Sequence, residues 1–142
     1  MESEVISHKI QEQLDCLQAH NNLFIYHGWK VTPEGLYVYV LMYPKKSPTL
    51  KFMARLYYEG YPQRAPAFTF VDPQTRQEGK QFWPKLGSAF QAALGRNPPQ
   101  LCIPGIREFH EILHTNYTWN VKKYLLSKVL EDIQVEMDKA YQ

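Results

Sequence analysis

Three β-rich runs joined by short turns constrain the fold of this chain more than any other feature. The runs cover residues 23–32, 36–44 and 50–58. Turn signals separate them, PEG at residues 33–35 and KKSP at residues 45–48, and such short connections predict an antiparallel meander. In the third run apolar residues alternate with more polar ones, which predicts a sheet with one covered face. A fourth, shorter run at residues 67–72 ends at Pro73 and completes four strands in sequence order.

Two amphipathic patterns flank the strands and predict helices. The first runs from Ser3, interpreted as an N-cap, to about His20, with apolar residues spaced by three and four. Its apolar residues are Ile6, Ile10, Leu14 and Leu17. The second runs from about Trp119 to Tyr141, with an apolar stripe that repeats every four residues. Because the strands form one block between the helices, the sequence predicts an α+β fold rather than an α/β fold.

The segment between Pro73 and Leu101 has no strand pattern. It is rich in glycine and proline, and its only helical signal is a short patch, KLGSAFQAAL. Long irregular segments inside a domain are usually functional or disordered, and three aromatic residues here argue against disorder. These residues are Phe82, Trp83 and Phe90. We therefore expect this segment to shape a surface.

The composition excludes several classes of function. With 142 residues the chain suits one domain, residues 1–142. The net charge is only +2, so neither nucleic acid nor an anionic membrane is an expected partner. The first residues are polar, and no stretch approaches the roughly 18 apolar residues of a membrane-spanning helix. Two cysteines without paired spacing indicate a reducing compartment. We therefore expect a cytoplasmic protein with free thiols.

Cys102 is the first candidate for chemistry. Pro98, Pro99 and Pro104 fix the backbone on both sides of it, so a stiff loop is predicted rather than a helix or a central strand. A thiol attacks only as thiolate, which requires a polar or basic neighbourhood. Basic residues near it in sequence are Arg96, Arg107, His110 and His114. The alternative is a buried loop cysteine. Cys16, beside the apolar stripe of the first helix, is interpreted as a packing residue.

The sequence HEILH offers a second candidate. His110, Glu111 and His114 match the H-E-x-x-H pattern of zinc peptidases, in which both histidines lie on one helix face and the glutamate polarises a metal-bound water. No third histidine follows at a suitable spacing, so Glu131 would have to complete the ligand set. The alternative is an amphipathic turn with solvated histidines on the side opposite Phe109. We favour this alternative and expect no bound metal.

Taken in order, the landmarks of the chain resemble those of the ubiquitin-conjugating enzymes. Between the third and fourth strands, YPQRAP at residues 61–66 is similar to the family's Tyr-Pro-x-x-x-Pro turn. LCI at residues 101–103 stands where the family commonly has Ile-Cys-Leu, and Trp119 stands where the family has a tryptophan before its next helix. The resemblance covers most of the chain through these landmarks, and it implies a ubiquitin-conjugating-enzyme-like fold.

The chain also departs from the family pattern. The His-Pro-Asn triplet upstream of the cysteine is absent, and its nearest counterparts are WPK at residues 83–85 and RNP at residues 96–98. Val121 replaces the proline that follows the family's tryptophan. Asn97, or a histidine of the segment after Cys102, is a candidate to stabilise the oxyanion. Such divergence resembles bacterial ubiquitin-like conjugation systems, some of which serve anti-phage defence.

The resemblance implies a covalent relay. An activating enzyme would transfer a ubiquitin-like protein to Cys102 as a thioester, and the chain would pass it to a lysine amine of a target protein. The chain itself would need no cofactor, since the activating enzyme would use ATP and magnesium. His110 is a candidate proton acceptor for the amine, with His114 and Asn97 as further supporting residues. The alternative within the same fold is a non-catalytic module that binds a ubiquitin-like protein.

Overall fold

Four antiparallel strands form one sheet, preceded by one helix and followed by another. A computed structural model describes residues 2–19, 27–86 and 99–142. The strands are β1 (Lys30–Glu34), β2 (Tyr37–Met42), β3 (Phe52–Tyr57) and β4 (Ala67–Val71), and the helices are α1 (Glu2–Ala19) and α2 (Leu126–Ala140). The spatial order of the strands follows the chain. The predicted α+β fold with an antiparallel meander is therefore confirmed.

The first hairpin lies slightly later in the chain than predicted. β1 continues through Pro33, which pairs with Val38, whereas the turn signal predicted a loop there. Proline fits this position because β1 is an edge strand, where a missing N–H donor is tolerated. The turn itself contains Gly35, whose φ of 62° is a left-handed conformation that favours glycine. Residues 23–26 of the predicted first run lie outside the described residues.

Side-chain alternation gives the sheet one apolar face. Val38, Leu56 and Phe68 align across β2, β3 and β4, and all three are buried. They belong to one core with the buried faces of both helices. The opposite face is more polar, and there Tyr37 and Tyr57 stack with their ring centroids 4.7 Å apart. The predicted covered face is therefore present, and the core lies between it and the helices.

Helix α1 follows the predicted apolar pattern. Its buried side chains include Ile6, Ile10 and Leu14. Ser3 lies inside the helix, which already includes Glu2, so its predicted role as N-cap is wrong. The side chain of Leu17 lies outside the described residues.

Helix α2 begins at Leu126, so the prediction that it starts near Trp119 is wrong. The side-chain oxygen of Asn120 accepts hydrogen bonds from the backbone N–H groups of Lys122 at 2.9 Å and Lys123 at 3.3 Å, which turns the chain before the helix. The buried stripe of α2 consists of Leu126, Val129, Leu130, Ile133, Gln134 and Met137. Within the described ranges, no helix is both long enough and apolar enough to cross a membrane.

The irregular segment after β4 packs onto the core in the part that the structure describes. It contains one 3-10 turn, Lys80–Phe82, followed by the buried Trp83. The rings of Trp83 and Phe70 meet edge to face with their centroids 5.1 Å apart. Residues 87–98, which include Asn97, Phe90 and most of the predicted helical patch, lie outside the described residues.

Candidate active site

The turn at residues 61–66 contacts the segment that carries the candidate residues. The peptide bond between Tyr61 and Pro62 is cis. The indole N–H of Trp119 donates a hydrogen bond of 2.7 Å to the backbone carbonyl of Pro62, and the rings of Tyr61 and Trp119 lie 6.3 Å apart. Two landmarks that are far apart in the sequence thus meet, and the chain between them is held at both ends.

Arg107 attaches the start of this segment to the same turn. Its backbone N–H donates to the carbonyl of Pro66 at 2.9 Å, and its guanidinium donates to the carbonyls of Ala65 at 3.1 Å and Glu59. Burial lowers the pKa of this guanidinium, and the nearby Arg64 acts in the same direction. Arg107 therefore serves as a backbone clamp, whereas the sequence suggested it as a basic neighbour of Cys102.

Two glutamates of the same segment also attach it, Glu111 to the turn at residues 61–66 and Glu108 to β4. Arg64 donates to both carboxylate oxygens of Glu111, at 2.6 and 3.0 Å, and this hydrogen bonding lowers the pKa of Glu111. Glu108 accepts the backbone N–H of Phe68 at 3.0 Å, so its carboxylate satisfies a donor on the outer edge of β4. Burial raises the pKa of Glu108. Together these contacts fix the segment that leads from Cys102 to His114 against the sheet.

Cys102 and His114 form the central contact of the site. The sulfur of Cys102 lies 3.3 Å from Nε2 of His114. The cysteine is partly buried, and the histidine is exposed at the end of a π-helical turn, Phe109–Leu113. The ring of Phe109 packs against the imidazole of His114, with centroids 4.8 Å apart, and supports it from one side. A thiol and an imidazole in hydrogen-bond contact are the minimal parts of an activated cysteine nucleophile.

The protonation state of the Cys102 thiol determines what its contact with His114 can do chemically. Burial raises the pKa of the Cys102 thiol, so the resting cysteine holds its proton at neutral pH. A thiol that must react as thiolate then needs a base to take this proton. Nε2 of His114 is within reach when the imidazole is neutral with its proton on Nδ1. The geometry of the pair therefore allows a proton to pass from the thiol to the imidazole.

Glycine at position 105 lets the cysteine loop approach α2 closely. Gly105 has φ of 103°, and a Cβ atom placed there would lie 2.5 Å from Cγ2 of Val129 and 3.3 Å from Cβ of Tyr124. Only glycine fits this combination of left-handed backbone and close contact. The backbone that follows Cys102 consequently rests directly on the terminal helix.

A shallow depression of about 170 Å³ opens beside Cys102. Its lining residues are Cys102, Ile103, Pro104, Asp132, Val135 and Glu136. Val135 is 46% exposed, which leaves an apolar side chain of α2 uncovered next to the thiol. Sequence reasoning missed these α2 residues because they lie on the polar face of the helix, outside its apolar stripe. Their only sequence signal is Val135, an apolar residue on that face.

His110 differs from its predicted setting. Only 7% of its surface is exposed, so the interpretation of both histidines as solvated is wrong for His110. Nδ1 lies 2.6 Å from the carbonyl oxygen of Tyr117, and Nε2 accepts the backbone N–H of Gly105 at 3.0 Å. The ring of Phe109 contacts both histidine rings, so the prediction that they lie opposite it is also wrong.

The zinc hypothesis finds no ligand set in the described part of the chain. No group of three or more His, Cys, Asp or Glu side chains there is placed to hold a metal ion. Both ring nitrogens of His110 contact backbone groups, and the carboxylate of Glu111 is paired with Arg64. Glu131 contacts His27 instead. The donors that the motif suggests are therefore engaged elsewhere.

Of the predicted site residues, the structure brings Cys102 and His114 into contact and places His110 behind them. Asn97 lies outside the described residues. A scan against protein-family models and a search of curated proteins find no match for the chain.

Proposed function

We propose that this protein is a conjugating enzyme of the ubiquitin-conjugating type. It accepts a ubiquitin-like protein from an activating enzyme as a thioester on Cys102 and transfers it to a lysine amine of a target protein. The observation that carries the proposal is the 3.3 Å contact between the Cys102 sulfur and Nε2 of His114. The order of helix, meander, cysteine loop and terminal helix supports it.

In the first step the Cys102 sulfur attacks the carbonyl carbon of the thioester held by the activating enzyme. The thiol proton passes to Nε2 of His114 as the new carbon–sulfur bond forms. The bond to the sulfur of the activating enzyme breaks, and that sulfur leaves as a thiolate, which the imidazolium can protonate. One thioester thus replaces another, and the chain uses no ATP itself.

In the second step a lysine amine attacks the carbonyl carbon of the Cys102 thioester. The carbon–nitrogen bond forms, the carbon–sulfur bond breaks, and the amine proton passes to His114. The imidazolium then returns a proton to the Cys102 thiolate, which restores the resting pair. The product is an amide, so the transfer runs downhill from a reactive thioester.

The depression beside Cys102 is suited to the C-terminal tail of the ubiquitin-like protein, whose carbonyl must reach the sulfur. It is open and shallow, and Ile103, Pro104 and Val135 give it an apolar surface. An extended C-terminal tail can lie along such a surface and present its carbonyl to the sulfur, whereas a folded domain cannot enter it. In the same proposal the partner proteins belong to a bacterial conjugation system of the anti-phage kind, and the genes beside this one identify them.

The test is a charging assay with the neighbouring activating enzyme and ubiquitin-like protein, with and without ATP. We expect an ATP-dependent adduct that a reducing agent removes, and a more stable oxyester with Cys102→Ser. Cys16→Ser is the matched control and should charge normally. Normal charging of Cys102→Ala would overturn the proposal.

The same assay separates the catalytic proposal from the non-catalytic alternative of the same fold. A binding module would retain the ubiquitin-like protein in a pull-down without ATP and would form no adduct with ATP. That result would also contradict the proposed function.

A further inference from the structure

The imidazole of His110 links the backbones that carry the two reactive side chains. On one side it contacts Gly105, which follows Cys102 by three residues, and on the other it contacts Tyr117, which follows His114 by three residues. No other side chain in the described residues bonds to both of these positions. The segments 102–105 and 114–117 are therefore joined twice, once by the contact between Cys102 and His114 and once through the imidazole of His110.

The two hydrogen-bond partners of His110 determine which nitrogen of its imidazole carries the proton. The carbonyl oxygen of Tyr117 can only accept, so Nδ1 must carry a proton. The N–H of Gly105 can only donate, so Nε2 must be unprotonated. The imidazole is therefore neutral, and its only basic nitrogen is already used. A proton acceptor for a substrate amine needs a free lone pair and access, and His110 has neither.

The surroundings leave this ring little freedom to move. The rings of Phe109, Tyr124 and Trp119 lie 5.1, 4.9 and 5.8 Å from it. Gly105 in turn rests against Val129 of α2. A shift of His110 would therefore move the cysteine loop, the turn after His114, or both.

We propose that His110 is a positioning residue that holds Cys102 and His114 at reactive distance through its hydrogen bonds to Gly105 and Tyr117. The role rests on the proposed function, since it serves the thiol that receives the ubiquitin-like protein. It replaces the proton-acceptor role that the sequence suggested for His110. The imidazole of His114 remains the base, and His110 acts through it.

Two conservative variants each keep one of the two hydrogen bonds. His110→Gln presents its side-chain carbonyl near the position of Nε2, so it can accept from Gly105 but loses the bond to Tyr117. His110→Asn presents its amide N–H near the position of Nδ1, so it can donate to Tyr117 but loses the bond to Gly105. Thermal unfolding identifies which of the two variants remain folded, and either one suffices for the test.

The readout is alkylation of Cys102 by iodoacetamide in the protein alone, followed by mass spectrometry from pH 6 to pH 10 with Cys16 as internal reference. We expect a roughly ten-fold slower reaction at neutral pH in each folded variant, because small misplacements of a reactive group have large kinetic effects. We also expect the pH profile of Cys102 to match that of His114→Ala, while the Cys16 profile stays unchanged.

A double variant that combines His114→Ala with whichever His110 substitution folds, His110→Gln or His110→Asn, isolates the indirect role. If His110 acts through His114, the double variant reacts no more slowly than His114→Ala alone. An additional loss in the double variant, or an unchanged Cys102 profile in the single variants, overturns the positioning role. Because no partner protein is present, this result is independent of the charging assay, and failure of charging alone contradicts only the proposed function.

Discussion

His114 reaches the sulfur of Cys102 with Nε2 at 3.3 Å, although the two residues lie on opposite sides of a π-helical turn in the chain. The hydrogen bond from the backbone N–H of His114 to the carbonyl of Phe109, at 2.7 Å, closes this turn. The wide turn ends the helix at His114 and directs its imidazole towards the cysteine loop. The contact between Cys102 and His114 thus depends on a local distortion of helical geometry.

Replacement of His114 tests this contact directly. We expect His114→Ala to slow charging of Cys102 at neutral pH by about 10²-fold or more, because the partly buried thiol loses the base that takes its proton. The loss should shrink at high pH, where the thiol ionises without help. Initial rates of adduct formation between pH 6 and pH 10 provide the measurement.

His8→Ala is the matched control, since His8 is an exposed histidine on α1 that pairs with Glu12. It should charge at the wild-type rate. Equal rates for His114→Ala and wild type at neutral pH would contradict the assigned role of His114.

Gly105 offers a second test through its contact with α2. We expect Gly105→Ala to lower the free energy of unfolding by about 3 kcal/mol, since the added methyl group combines left-handed backbone strain with overlap against Val129. Gly28→Ala is the matched control, because Gly28 also has a positive φ, of 71°, but an added Cβ would have nothing within 4 Å.

The control should lose only about 1 kcal/mol, the cost of the backbone conformation. Urea unfolding of both variants gives the comparison. Equal losses would show that the contact between Gly105 and Val129 contributes nothing.

The strands and core were predictable because they depend on local alternation. Val38, Leu56 and Phe68 lie on one face by their position in each strand alone, and the short turns force neighbouring strands to pair. The start of α2 was not predictable from its apolar stripe. Asn120 turns the chain first, and side-chain hydrogen bonds of this kind compete with helix formation.

The loop that carries Cys102 was predictable from the sequence, but the surroundings of the two histidines were not. Spacing of four residues predicts a shared helix face for His110 and His114, which holds only for regular α-helical geometry. The π-helical turn buries His110 and exposes His114. That geometry depends on packing against Trp119 and on the anchor at Pro62, both of which are tertiary contacts.

Trp119 provides a third prediction. Trp119→Phe keeps an aromatic ring against Tyr61 but removes the indole N–H that donates to the carbonyl of Pro62. We expect a loss of about 1 kcal/mol in the free energy of unfolding, the usual net value of one such hydrogen bond. We also expect slower alkylation of Cys102, because the far end of its segment loosens. Unchanged stability and unchanged alkylation together would contradict the anchoring role.

The partly buried carboxylate of Glu108 predicts an unusual pH dependence of stability. Because burial raises its pKa in the folded state, its contribution to stability is fully present below the unfolded pKa and is lost as pH rises through the folded value. Glu108→Gln keeps an oxygen that accepts from Phe68 N–H but carries no charge. We therefore expect this variant to match the wild type in free energy of unfolding near pH 4 and to be more stable at pH 7.

Glu108→Leu, which leaves the N–H of Phe68 without its acceptor, should lose about 1 to 3 kcal/mol of the free energy of unfolding at both pH values. Urea unfolding at the two pH values measures this, and a Glu108→Gln variant less stable than wild type at pH 7 would show that the charge itself stabilises the fold.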